Sequence, residues 1–225
     1  MTKPVPRVTW TATPLQVERV IAAVLPHASG DTTLPTLNSI RIELDGHRFL
    51  AMATDRYSLG VCRADLKTWD EKAKRAKPVT AQLPPSDLKR LFTFLRPTRT
   101  VPADWTLTAD ALTVVADGNS LTIHAAEGEN YPKWRSLFDS VVKTDAAPGT
   151  DMAFTPRVVD HFHKSAKALG HVSMRWRFTT PLKPVIVEIG EDFVGMLMPC
   201  RISSDAPVLD LAVFGIEPKA VAVSK

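Results

Sequence analysis

The stretch LNSIRIELDGHRFLAMATDRYSLGVC, residues 37–62, decides the fold of this chain. Apolar and polar residues alternate from Ile40 to Leu44, which is typical of a strand with one buried face. The pair Asp45-Gly46 favours a tight hairpin turn, and the apolar segment RFLAMATD follows it directly. A third segment, SLGVCRADL, comes after another short turn. The stretch therefore predicts three antiparallel strands.

The same order of elements occurs three times along the chain. Each unit has a short strand, an amphipathic helix and two or three alternating strands. The helices are predicted to begin at Pro14, at Ser86 as N-cap, and at Pro156. Pro26 and Gly170 predict the ends of the first and third helices. The apolar positions at helical spacing are Val17, Val20, Ile21, Val24 and Leu25, then Leu88, Leu91, Phe92 and Leu95, then Val158, Val159, Phe162 and Leu169.

These units predict a division of the chain into three parts. Residues 1–139 form a domain of two units, which the segment 67–77 joins. Residues 151–202 form the third unit, and residues 203–225 a C-terminal tail. The polar segment 140–150 contains Pro148 and Gly149 and is interpreted as an interdomain linker. The predicted fold class is α+β, with repeated β-α-β-β-β units.

The composition favours a globular cytoplasmic protein. The chain has 225 residues, of which 44% are apolar, enough for a substantial core. No apolar run approaches the roughly 18 residues that a membrane span needs, so no membrane partner is expected. Residues 1–11 lack the apolar core of a signal peptide. Cys62 and Cys200 match no metal or redox spacing and are expected to pack as small hydrophobes.

Positive charge concentrates on parts of the chain. The net charge is +4, and residues 63–99 hold ten Lys or Arg against four Asp or Glu. A basic surface favours polyanions such as nucleic acid. The loop 72–77 is interpreted as merely solvated. On the second helix Lys89, Arg90 and Arg96 oppose the apolar face. On the third helix Arg157, His161 and Lys164 are predicted to do the same, whereas the first offers only Arg19.

The sequence contains no recognisable catalytic constellation. There is no phosphate-binding glycine loop and no G-x-S-x-G motif. His161 and His163 are two residues apart, so on a helix they point in different directions and do not predict a metal site. Asp55 is interpreted as a turn-capping residue rather than a catalytic carboxylate. We therefore expect neither enzymatic activity nor a cofactor.

Three motifs resemble one family, in the family's order. The stretch 37–62 contains Ala53-Thr54-Asp55 followed by a short turn and a hydrophobic strand. EGENYPKWRSLF, residues 127–138, has an aromatic residue and a proline before the linker. FVGMLMPCRI, residues 193–202, has an M-P-x-R ending. Together they resemble the bacterial DNA polymerase III sliding clamp, the ring-shaped β subunit, over roughly residues 8–202.

The resemblance implies a clamp fold, in which helices line a central hole and sheets lie outside. It implies a non-enzymatic protein that encircles double-stranded DNA and contacts its phosphates without sequence specificity. A clamp of this kind tethers a DNA polymerase and is loaded by a clamp loader. The residues expected to face DNA are Arg19, Lys89, Arg90, Arg96, Arg157, Lys164 and Lys167.

The family also binds short linear motifs of polymerases and the clamp loader in a hydrophobic pocket. The residues that the resemblance assigns to this pocket are Leu37, Thr54, Arg56, Tyr57, Leu59, Pro132, Leu137, Met196, Met198, Pro199, Cys200 and Arg201. Two departures predict a retuned motif preference. Arg56-Tyr57 is bulkier than the family's usual turn, and Cys200 replaces a methionine.

The oligomeric state follows from counting units. A ring of this family holds twelve units, so four chains of three units predict a homotetramer, with unit three pairing across a two-fold axis. If the tail supplies a fourth unit, three chains are enough. Two other functions remain open, namely an adaptor or decoy that keeps the pocket without forming a ring, and a general basic DNA-binding protein.

Overall fold

A computed structural model describes residues 7–69, 78–126, 131–142, 152–180 and 183–201. Within these ranges lie four α-helices and twelve strands. The helices are α1 (Pro14–Val24), α2 (Pro85–Phe94), α3 (Trp134–Val142) and α4 (Pro156–Leu169). The strands are β1 (Arg7–Ala12), β2 (Ile40–Asp45), β3 (Arg48–Thr54), β4 (Ser58–Asp65), β5 (Thr68–Trp69), β6 (Val79–Leu83), β7 (Ala103–Thr108), β8 (Ala111–Ala116), β9 (Asn119–His124), β10 (Arg175–Arg177), β11 (Val185–Ile189) and β12 (Phe193–Leu197).

Units one and two exchange their first strands. The strand β1 pairs antiparallel with β7 of unit two, in a five-stranded sheet of order β5-β1-β7-β8-β9. In return, β6 pairs antiparallel with β2 of unit one. Neither unit can bury its sheet without the other, which ties the two units into one body.

The third unit continues the sheet of unit one. The strand β12 pairs antiparallel with β4, with Gly195 opposite Gly60. The resulting sheet has seven strands in the order β10-β11-β12-β4-β3-β2-β6. The last strand of unit one thus meets the last strand of unit three at a seam, which we call the β4–β12 seam.

The helices α1, α2 and α4 bury their apolar stripes in one core. Val17, Leu88 and Phe162 are among its members, and each is no more than 2% exposed. The capping box between Thr13 and Gln16 fixes the start of α1. Gly170, at φ +72°, adopts the left-handed conformation that ends α4, as the sequence predicted.

A second, smaller core lies on the other side of the seven-stranded sheet. It contains Leu59 and Met196 from the two strands of the seam, and Trp134 and Phe138 of α3 pack against it. We call it the outer cluster; its buried members are Leu50, Met52, Leu59, Val61, Tyr131, Val141, Ile186 and Met196. Arg135 of α3 also pairs with the buried Glu43 of β2 at 2.5 Å.

Several local expectations were wrong. The N-cap of α2 is Pro84, and Ser86 lies inside the first turn, because two successive prolines already set the backbone for the helix start. The predicted linker begins too early, since α3 extends to Val142. The first strand of unit three is reduced to a single bridge between Ala153 and Cys200. The segment 143–150 and the tail 203–225 lie outside the described residues, and the domain division stays a prediction.

None of the helices in the described ranges is both long and apolar enough to cross a membrane.

Candidate functional site

The helices α1, α2 and α4 lie next to one another and pack against the sheets. Arg19 of α1 donates a hydrogen bond to the carbonyl oxygen of Leu169 at the end of α4. On its other side α1 borders α2 across a groove of about 310 Å³, which Ala22 and Phe92 help to line. The order is therefore α4, α1, α2. We call the solvent-facing side of these helices the helix face.

All seven residues predicted to face DNA are exposed. Six of them lie on the three helices, and Arg96 lies in the short 3₁₀ turn after α2. Two of them are partly neutralised on the helix itself. Lys164 pairs with Asp160 at 2.7 Å, and Arg90 lies 3.9 Å from Asp87. The Lys164 ammonium lowers the pKa of Asp160 through this hydrogen bond. Both pairs are surface contacts that a polyanion can displace at small cost.

His161 does not belong to this face. It is 8% exposed and points into the seam, so the prediction that it lies beside Arg157 and Lys164 was wrong. Its position three residues after Val158 and one before Phe162 places it on the apolar stripe of α4. The exposed histidine of this helix is His163.

The β4–β12 seam brings part of the predicted peptide pocket together. Leu59 pairs with Met196 across the seam. One residue past the end of β12, the Met198 amide donates to the carbonyl oxygen of Tyr57 at 2.9 Å. The side chains of Tyr57 and Met198 are 57% and 39% exposed, so two large apolar groups lie side by side in solvent. Two residues after Met198, the Cys200 amide donates to the carbonyl oxygen of Ala153 at 2.7 Å.

The turn between β3 and β4 is locked by one carboxylate. Asp55 Oδ1 accepts hydrogen bonds from the amides of Tyr57 at 3.0 Å and Ser58 at 2.7 Å, so the turn-capping interpretation of Asp55 is confirmed. Thr54 Oγ1 donates to the Ser58 carbonyl oxygen at 2.7 Å and accepts from the Arg56 amide. Arg56 adopts φ +78°, which few non-glycine residues do. The exposed Arg56 and Tyr57 are thus presented by a rigid turn.

The other predicted pocket residues lie outside the two strands of the seam. Pro132 and Leu137 belong to the α3 segment, whose neighbours Tyr131 and Phe138 pack on the outer cluster. Leu137 is 46% exposed and extends the apolar surface along α3. Leu37 is held within its own loop, where its amide donates to the Leu34 carbonyl oxygen. The exposed Arg201 follows the half-buried Pro199 at the end of the described chain.

Behind the turn lies a buried polar network that the sequence did not predict. His27 is fully buried, with Nδ1 3.0 Å from Ser58 Oγ and Nε2 3.1 Å from Ser165 Oγ. Ser58 Oγ also lies 3.1 Å from His161 Nδ1 and donates to Asp55 Oδ1. His27, Asp55 and Ser58 belong to unit one, whereas His161 and Ser165 belong to α4 of unit three. We call these five residues the seam network.

Burial holds the two histidines of the seam network in the neutral form. Desolvation, together with the neighbouring His161, lowers the pKa of His27 to about 3. Desolvation also lowers the pKa of His161, against an opposing effect of Asp55. Gly60 leaves the space for the His27 ring, since a Cβ on it would come within 2.5 Å of the ring. The hydrogen bonds of the two neutral histidines with Ser58 and Ser165 therefore connect unit three to unit one.

Two of the remaining sequence predictions concern cysteine and metal chemistry. Cys62 is buried in the core as predicted, and burial raises the pKa of its thiol to about 12. Cys200 is exposed, so its prediction as a packed hydrophobe was wrong. No group of three or more His, Cys, Asp or Glu that could hold a metal ion occurs in the described part of the chain.

The chain resembles known proteins in sequence and in fold. The β sliding clamp of Micrococcus luteus is 31% identical over 124 residues, which are 52% of this chain and 36% of that protein. A putative DNA polymerase III β subunit from Eubacterium rectale superposes with a TM-score of 0.69 at 11% identity, over 90% of this chain and 68% of that one. The sliding clamp of Bacillus subtilis gives a TM-score of 0.68 at 15% identity, over 90% and 67%. No protein-family profile matches the chain.

The fold is therefore an α+β sliding-clamp fold, as the sequence predicted. The resemblance to the bacterial DNA polymerase III β subunit, stated from three motifs, is confirmed by the partial match to the Micrococcus luteus clamp and by the solved clamp structures. The chain spans about a third of the length of that curated relative.

Proposed function

We propose that this protein is a DNA sliding clamp, a non-enzymatic processivity factor of the cytoplasm. In this proposal it encircles duplex DNA without sequence specificity and tethers a replicative polymerase. A clamp loader places it on the DNA. The observation that carries the proposal is the division of the molecule into two sides. Three adjacent helices present exposed cations on one side of the sheets, and the exposed side chains of Tyr57 and Met198 form an apolar surface at the β4–β12 seam, which we call the seam patch.

The helix face suits contact with phosphates. Its cations stand on long flexible side chains, and they come from three separate helices rather than from one recognition element. Such a surface gains affinity by releasing counterions and reads no base sequence, so it allows movement along the duplex. Binding is expected to weaken steeply as the salt concentration rises.

A charge-reversal triple variant tests the helix face. Lys89, Arg96 and Lys167 are exposed, and Lys89→Glu/Arg96→Glu/Lys167→Glu is expected to reduce retention on DNA at least about tenfold. The matched control makes the same change of charge on strands and a loop, at the exposed residues Arg7, Arg48 and Lys133. Retention is measured on circular plasmid DNA at two salt concentrations. Equal loss in both variants would show that net charge, not the helix face, holds the DNA.

The seam patch suits a short linear motif. It consists of the exposed side chains of Met198 and Tyr57, and methionine adapts to aliphatic and aromatic side chains. Arg56 and Arg201 are exposed at the ends of the two segments that supply this patch. A peptide with one aliphatic and one aromatic anchor would bury both against the patch, in the manner of interface hot spots.

The number of chains in the ring is part of the same proposal. Among the described residues, β5 and β9 are the edge strands of one sheet and β6 and β10 those of the other, and a closed ring has to pair or cover the edges that meet a neighbouring chain. Four chains complete a ring of twelve units if unit three pairs with its copy. Three chains complete it if the C-terminal segment contributes to a fourth unit. The native mass at micromolar concentration distinguishes the two, and a strict monomer would refute the ring.

One observation favours an alternative function, a clamp-like adaptor or decoy. Both segments that supply the seam patch, the β3–β4 turn and the end of β12, belong to a single chain. Peptide binding would therefore need no ring. This alternative predicts peptide binding by a monomer with no topological retention on DNA.

A further inference from the structure

A cavity of about 330 Å³ lies where the three units meet. Most of its walls come from unit one, through β1, α1, β3, β4 and the residues that follow β4. Pro102 of unit two, Leu169 at the end of α4 and Asp192 in the turn between β11 and β12 complete the walls. We call this space the junction cavity. It is separate from the seam patch, since neither Tyr57 nor Met198 lines it.

The innermost lining of the junction cavity is apolar. Val17, Val20 and Phe49 line it, and each of these side chains is no more than 4% exposed. Ala64 and Leu66 add half-buried apolar side chains. The volume lies at the lower end of the range of about 300–1,000 Å³ that is typical of ligand sites. A small molecule with an apolar body would therefore gain affinity by leaving water for this space.

The charged groups of the junction cavity have an excess of positive charge. Its three cations and two carboxylates are Arg19, Arg63, Lys67, Asp65 and Asp192. Both carboxylates already have a partner within the described chain. Asp192 lies 3.7 Å from Arg63, whose amide also donates to the Asp192 carbonyl oxygen at 2.9 Å. Asp65 lies 3.7 Å from His47. The two remaining cations of the cavity are available to an anion.

These two cations are Arg19 and Lys67. Neither forms an ion pair with a carboxylate in the described ranges of the chain. Arg19 gives one hydrogen bond to the Leu169 carbonyl oxygen, and its guanidinium has further N–H donors. Lys67 is exposed and has three donors on its ammonium group. A carboxylate that meets either group gains charge-assisted hydrogen bonds, which are stronger than those between neutral groups.

We propose that the junction cavity binds a small amphipathic carboxylate, a molecule with an apolar body and one carboxylate group. The apolar body occupies the space beside Val17, Val20 and Phe49. The carboxylate pairs with Arg19 and Lys67. Because α4 and the β11–β12 turn also line the cavity, a ligand there stabilises the docking of unit three on unit one. The inference holds whether or not the protein encircles DNA.

Titration with 4-phenylbutanoate tests the proposal, since this molecule joins a phenyl ring to a carboxylate through a short apolar chain. Saturation-transfer NMR on the full chain is expected to give a dissociation constant below about 1 mM. The neutral isostere 4-phenylbutanamide should bind at least about tenfold more weakly, because it lacks the charge-assisted hydrogen bonds. Inorganic phosphate, which has the charge without the apolar body, should not compete with 4-phenylbutanoate at equal concentration.

Two variants locate the ligand. Lys67→Gln removes one cation of the cavity and should weaken binding of 4-phenylbutanoate at least about threefold. The matched control Lys133→Gln changes an exposed lysine that does not line the cavity and should leave the affinity unchanged. Ala64→Phe fills part of the cavity and should abolish binding, and its urea unfolding curve shows whether it is folded. In the unmodified protein, nuclear Overhauser effects are expected between the phenyl ring and the methyl groups of Val17 and Val20.

Four results would overturn the proposal. The first is no binding of 4-phenylbutanoate up to about 10 mM. The second is equal affinity for the acid and its amide, which would remove the role of the carboxylate. The third is an equal effect, or no effect, of Lys67→Gln and Lys133→Gln. The fourth is a set of Overhauser effects to Tyr57 and Met198 alone, which would place the ligand on the seam patch.

Discussion

The seam network predicts that acid loosens unit three from unit one. His27 is neutral in the folded chain because its pKa is lowered from 6.5 to about 3. In the unfolded chain the same side chain binds a proton at its ordinary pKa. The stabilising contribution is therefore complete above pH 6.5 and is lost as the pH falls from 6.5 towards 3. His161, whose pKa is also lowered, changes stability in the same direction.

The magnitude follows from the two pKa values of His27. Between pH 8 and pH 5 the His27 side chain of the unfolded chain binds most of one proton, whereas that of the folded chain does not. This difference lowers the free energy of unfolding by about 2 kcal/mol. Carboxylates elsewhere contribute to the total acid dependence. The variant His27→Gln separates them, because glutamine keeps hydrogen-bonding groups at this position and does not titrate in this range.

Urea unfolding followed by tryptophan fluorescence at pH 8, 7, 6 and 5 measures the effect. The variant is expected to be less stable at pH 8, since it disturbs buried hydrogen bonds with Ser58 and Ser165. Its loss of stability on acidification should be smaller than that of the unmodified protein by about 2 kcal/mol. Parallel stability curves for the two proteins would refute the reasoning, because they would mean that His27 does not change its protonation on unfolding.

Two further predictions concern the β4–β12 seam and the seam patch. Gly195→Ala should lower the free energy of unfolding in urea by about 1–3 kcal/mol, because its Cβ would lie 2.6 Å from the Leu59 carbonyl oxygen and 2.5 Å from the Phe162 ring. The control Gly30→Ala, with open space around it, should change the free energy of unfolding little. Equal effects of the two variants would contradict the close packing at the seam. Met198→Asp should weaken binding of a fluorescent peptide with aliphatic and aromatic anchors at least about tenfold, while its unfolding curve stays close to that of the unmodified protein. The matched change at the fully exposed Val172 should leave binding intact, and similar losses in both would place the peptide elsewhere.

Most strands and two of the three predicted helix starts were predictable because their signals are local. The alternation from Ile40 to Leu44 gave β2, and Asp45-Gly46 gave its turn, where Gly46 adopts φ +60°. The prolines at 14 and 156 are each the first residue of a helix. These features depend on residues within one turn or one strand of each other.

The features that the sequence missed depend on distant contacts. The segment of α3 contains only nine residues, and its helix packs on an outer cluster that exists only after β4 and β12 have paired. His161 was assigned to the solvent face because it lies about one helical turn from both Arg157 and Lys164. Its burial requires Ser58, 103 residues away, as a partner. Unit order and motifs predicted the fold, whereas the interior of the seam required the structure. The assignment of a peptide pocket stays a prediction.

The most direct test of the central claim is retention on DNA of different topology. The protein is assembled on nicked circular plasmid, with a clamp loader where needed, and is separated from free protein by gel filtration. The plasmid is then cut once by a restriction enzyme. A clamp that encircles the duplex is expected to stay on the circle and to be lost from the linear product by sliding off its ends. Equal retention on circular and linear DNA would contradict encirclement and indicate ordinary electrostatic binding by the helix face.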